Sequence, residues 1–100
     1  MRPLFKAFFI KVFEMSNFVC HFQTDQSLDD FDRKERLTAI AAACCLNLSA
    51  SWAPDSSGLM AATFSARDGM SSPSLNQLEP LMKSKSRRYG LALQAIRAEA

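Results

Sequence analysis

The chain has 100 residues, 48% hydrophobic and 22% charged, with a net charge of +2. That length suits one domain around one core, and the balance excludes a disordered or strongly polyanionic chain. No stretch approaches the ~20 apolar residues that a membrane span needs. The three cysteines, Cys20, Cys44 and Cys45, are odd in number and follow no secretory cleavage pattern, which points to a reducing, cytoplasmic setting with free thiols.

Residues 1–14 form an amphipathic segment set apart from a single α+β domain over residues 15–100. On a helical wheel Leu4, Phe5, Phe8, Phe9, Val12 and Phe13 fall on one half, and Pro3 fits a first helical position. The aromatic content also suits an extra edge strand. Phe5, Phe8, Phe9 and Phe13 carry too much apolar area to stay in water. The segment therefore packs on the sheet, meets a copy of itself in a homodimer, or lies on a membrane surface. Lys6 and Lys11 are few cations for the last of these. Phe5, Phe8, Phe9, Val12 and Phe13 are thus candidates for contact with a protein partner or with self. Met15 is a second candidate start, which would make the first fourteen residues an appendage.

Asn17–Thr24 alternates Phe18, Cys20 and Phe22 against Val19, His21 and Gln23, the period of a strand. Ser27 with Asp30 resembles a capping box, and Asp29, Asp30 and Asp32 suit the positive end of a helix dipole. The helix should run to about Ala43–Cys45, burying Phe31, Leu37, Ile40, Ala41 and Cys44. The period changes to two at Leu46. Leu46–Ala66, broken at Pro54-Asp55-Ser56-Ser57-Gly58, reads as a β-hairpin with Leu46, Leu48, Ala50 and Trp52 on the dry face.

Arg67-Asp68-Gly69 turns the chain out of the sheet, and Ser74 with Gln77 caps the last helical region. Pro80 costs ~3 kcal/mol or more inside a helix. The spacing therefore predicts a short turn over Leu75–Glu79 and a fresh helix from Pro80 to about Ala98. That helix would bury Leu81, Met82, Tyr89, Ala92, Leu93 and Ile96, and present Lys83, Arg87, Gly90, Gln94 and Arg97 to water. The expected fold is a small two-layer α+β sandwich with a β-α-β-β-α core. Its three-stranded, mainly antiparallel sheet would have the third strand either extending it or inserted between the other two.

Chemistry is thinly signalled. His21 is the only histidine, and its neighbour Cys20 should point to the opposite face of the strand. No metal-ligand spacing, glycine-rich phosphate loop or nucleophile motif is present, so neither a metal, a cofactor nor a catalytic residue is expected. Lys83-Ser84-Lys85-Ser86-Arg87-Arg88 is the strongest functional cue. With Arg97, the cations Lys83, Lys85, Arg87 and Arg88 form a candidate nucleic-acid or anion-binding set. The expectation is a non-enzymatic binding or regulatory protein acting through protein–protein contact, with a homodimer as one form. The alternative is nucleic-acid binding through the basic face of the last helix.

Overall fold

The computed structural model describes residues 17–25, 27–67 and 73–99. The expectations for residues 1–14, and for a turn at Gly69, lie outside these. The elements are β1 (Asn17–Gln23), α1 (Asp30–Ala43), β2 (Leu46–Ser51), β3 (Leu59–Ala66), α2 (Leu75–Arg88) and β4 (Ala92–Glu99). Among the described residues the sheet has four strands in the order β2-β3-β1-β4, with every neighbouring pair antiparallel. β1 and β2 are therefore parallel, with β3 inserted between them. This is the β-α-β-β-α-β, ferredoxin-like version of the split β-α-β arrangement.

The side chains of β1 alternate in direction as its sequence implies, although Val19 on the outer face is buried as well. Phe18, Cys20 and Phe22 are buried against the helices, packed with Met60, Ala62 and Phe64 of β3, Leu37 and Ile40 of α1, and Leu78 and Met82 of α2. The rings of Phe22 and Phe64 meet edge to face, centroids 6.4 Å apart at 83°, the arrangement that ring quadrupoles favour.

Three helix-end expectations change. The N-cap of α1 is Asp29, whose carboxylate accepts the Asp32 N–H at 2.8 Å; Ser27 instead donates its N–H to Asp25. Phe31, in the first turn of α1, has rolled off the core and is 71% exposed. The helix does bury Leu37, Ile40 and Ala41, with Cys44 buried just beyond its end. Ser74 caps α2 as expected, accepting the Gln77 N–H at 3.3 Å. However, α2 then runs unbroken through Pro80. Pro80 is exposed, nearly opposite the buried row Leu78, Met82 and Ser86. The Asn76 carbonyl that it leaves without an N–H partner therefore faces water, which keeps the cost tolerable.

The largest correction is at the C-terminal end, where a strand replaces the expected helix. α2 stops in a Schellman motif: Leu91 N–H bonds the Ser86 carbonyl and Gly90 N–H the Arg87 carbonyl, both in the 3.0–3.1 Å range. Gly90 takes φ +77, which a glycine at the C′ position adopts without strain. Gly90 thus ends the helix instead of lying on its basic face. Ala92–Glu99, rich in helix formers, is extended because β1 offers it an unpaired edge. Tertiary pairing overrides a weak local preference. The β4 ladder has a register shift at His21/Phe22, where Phe22 pairs Leu93 and His21 pairs Ala95. The bulge lets Leu93 and Ile96 both face the core.

The hairpin exists, but only half of its dry face is where alternation puts it. Leu46 and Leu48 pair with Ala66 and Phe64, and the register then shifts between Leu48 and Ala50. The extra residue, Ser49, turns the strand over. Ala50 now pairs with Thr63, and Trp52 donates its N–H to the Ala61 carbonyl at 3.0 Å. Thr63 and Ala61 face away from the helices, so Ala50 and Trp52 do too, and Trp52 is 54% exposed. The turn itself is held by Asp55, whose carboxylate accepts the N–H groups of Ser57 and Leu59 and the Ser57 hydroxyl at 2.6–3.0 Å.

Candidate anion-binding surface

The basic run lies on the last turns of α2. Lys85, Arg87 and Arg88 occupy the final turn, where the negative end of the helix dipole favours cations. The buried row Leu78, Met82 and Ser86 fixes how the cations divide. Lys83 and Arg87, one turn apart, stand on the flank nearest β4. Lys85 and Arg88 stand on the other flank, where Lys85 is close enough to the Cys44 thiol to oppose the upward push that burial gives it.

Lys83 and Arg87 border two adjoining recesses. One is closed below by Gly90, Leu91, Ala92 and Leu93 and has a volume of about 210 Å³. The other lies along Pro80 and Ser84 and has a volume of about 350 Å³. Small-molecule sites commonly enclose ~300–1,000 Å³ and are mainly apolar. An open recess of this size between two cations suits a single anionic group better than an enclosed cofactor. Leu91 and Leu93 supply its apolar floor, while Lys83 and Arg87 supply charge at the rim.

The acids of α1 do not reach these cations. Among the described residues, the ion pairs are Asp30 with Arg33 at 3.4 Å and Asp30 with Lys34 at 3.6 Å. Comparison with family models, curated proteins and solved structures found no match to this chain. The basic flank therefore stands on its own geometry.

One further α1 residue shapes the site without belonging to it. Arg36 is half-buried and donates to the Tyr89 carbonyl at 2.5 Å. It thereby caps the C-terminal end of α2 from the neighbouring helix. The sequence signal is faint: an arginine at the edge of a polar face, with a glycine at position 90 where a Cβ would crowd its guanidinium.

Arg97 separates from the other four candidates. It lies on β4, paired with Val19, and faces away from the helices. Phe5, Phe8, Phe9, Val12 and Phe13 lie outside the described residues. His21 also points away from the helices, whereas Cys20 and Cys44 are buried on the helix side, so no Cys–His pair forms. Burial and the neighbouring Cys44 push the Cys20 thiol up to about 12, the reverse of an activated nucleophile. Among the described residues, no group of three or more His, Cys, Asp or Glu could hold a metal ion. No described helix is long and apolar enough to cross a membrane.

Proposed function

We propose that this chain is a non-enzymatic binding module that engages nucleic acid through the Lys83/Arg87 flank of α2, with Lys85, Arg88 and Arg97 widening the positive field. The observation that carries this reading is the absence, among the described residues, of any ion pair to these cations, beside a recess sized for one phosphate. Cations held on a rigid helix and left unneutralised release counterions when they meet phosphates, so affinity should fall steeply with salt. Free thiols at Cys20, Cys44 and Cys45 suit a cytoplasmic setting.

The test is a salt titration of binding to DNA and RNA. Replacing Lys83 and Arg87 by Gln should weaken binding and reduce the slope of log K against log salt by about 2, with the circular dichroism spectrum unchanged. No measurable binding at low salt, or an unaltered slope, refutes it.

A second reading, contact with a protein or with a second copy of the chain, is favoured by the exposed indole of Trp52 and by the outer edge of β4, which pairs with no strand among the described residues. The aromatic residues of the first fourteen positions, outside the described residues, are a separate candidate for such contact. Sedimentation of the full chain beside a version starting at Met15 tests it. Two monomers of equal stability would remove this reading.

A further inference from the structure

The sheet face turned away from the helices is ordered in rows across the strands. One row runs Trp52, Ala61, His21, Ala95, from the end of β2 across to β4. Neighbouring strands lie about 4.8 Å apart. The indole and the imidazole therefore rise two strand spacings apart, about 9.5 Å, with only the Ala61 methyl between them. Packing one planar ring between two others needs about 7–8 Å. The register thus leaves a gap of about two strand spacings above the Ala61 methyl, wide enough to admit one aromatic ring.

What borders the gap is mixed, a buried valine between a hydroxyl and a cation. In the next row Val19 is flanked by Thr63 and Arg97, which sets a hydroxyl and a guanidinium beside it. The one carboxylate on this face of β4, Glu99, lies a row further away, opposite Asn17. From Ala95 the edge strand leads back to Ala92, which lines the recess between Lys83 and Arg87. A planar slot, a guanidinium beside it and a second pair of cations round the strand edge match a repeating polymer of flat rings on an anionic backbone.

We infer that this outer sheet face binds single-stranded nucleic acid, with one base inserted between Trp52 and His21. The backbone passes Arg97 and crosses β4 towards Lys83 and Arg87. A duplex cannot use this slot, because its bases are already stacked and paired. The inference takes its partner class from the function proposed above but rests on different residues. It adds the strandedness of the ligand and a second, stacking surface.

Trp52 is the only tryptophan, so its emission reports on the slot directly. The experiment titrates the full chain with a ten-nucleotide oligothymidylate, and separately with a duplex of the same length. Fluorescence should be quenched by the single strand and little changed by the duplex. Followed by the anisotropy of a fluorescein-labelled strand, Trp52→Ala should lose about ten-fold or more in affinity for the single strand, the size of one base–aromatic stack. Trp52→Phe should restore most of that loss. Lys83→Gln with Arg87→Gln should weaken both ligands without abolishing the quenching at saturation. If the two ligands bind equally and Trp52→Ala changes neither, the slot is overturned while the α2 flank survives. If the emission shifts with protein concentration alone and sedimentation shows a dimer that Trp52→Ala disrupts, the face joins two copies of the chain and the inference is wrong. If neither ligand binds at low salt, both this inference and the proposed function fall.

Discussion

Gly90 tests how the two helices are tied together. Its φ of +77 lies in the left-handed region, where an L side chain costs about 1–2 kcal/mol. A Cβ built there would also sit 2.8 Å from the Arg36 guanidinium nitrogen that bonds the Tyr89 carbonyl. A long side chain can move aside cheaply, but only by giving up that bond. A hydrogen bond from a charged donor contributes about 1.5–3 kcal/mol, and the half-buried setting of Arg36 favours the lower part. Gly90→Ala should therefore cost about 3 kcal/mol, lowering Tm by roughly 12–24 °C for a domain of this size. In an Arg36→Ala background only the backbone strain remains, and the same change should cost about 1–2 kcal/mol. The assay is urea and thermal unfolding of the four proteins of the cycle, followed by circular dichroism. Equal costs in the two backgrounds would show that Arg36 and Gly90 are uncoupled and that the cap is incidental.

Pro80→Ala should stabilise the domain, by up to about 3 kcal/mol, because it restores an N–H to the middle of α2; unchanged or lower stability in urea unfolding would contradict the continuous helix. Cys45 holds φ 58 just past the end of α1, so Cys45→Gly should gain about 1 kcal/mol and Cys45→Val should lose stability. In the native protein Cys45, exposed, should react rapidly with a thiol reagent, while buried Cys20 and Cys44 should react only on unfolding. The Cys20 thiol rises from 9.0 to about 12 on folding. The unfolded chain therefore loses this proton first as pH rises, and stability contributed by the neutral thiol is present below pH 9 and lost between pH 9 and 12. Cys20→Ala, less stable throughout, should show a shallower alkaline decline.

Where one periodicity was unopposed, the sequence was readable. β1 alternates cleanly, the hairpin turn carries Pro, Asp and Gly, and the residues Leu37, Ile40 and Ala41 have helical spacing and are buried. It misled where two periods overlapped or an extra residue changed the phase. Leu93 and Ile96 fit one helical face as well as they fit a strand with a bulge, and nothing local indicates that β1 lacks a partner. Ser49 offers no sign that the pairing slips there, so the indole of Trp52 reads as core and is found outside. Pro80 was weighed by its intrinsic penalty, whereas its side of the helix decided the outcome. Of the candidate site, the run Lys83–Arg88 was visible as composition. Its division into two flanks, and the placement of Arg97 on the far face of the sheet, needed the register.

The position of β1 has a consequence for how the chain matures. β1 is completed on one side by β3 and on the other by β4, which is synthesised after both. While the chain is still emerging from a ribosome, β1 and β3 can pair, but the far side of β1 stays bare until Ala92–Glu99 is released. A bare strand edge carrying Phe18 and Phe22 invites pairing with other chains. Nascent chains stalled before residue 92 should therefore be the aggregation-prone species and the ones that chaperones hold, and release of the final strand is the step that makes the protein safe to leave alone.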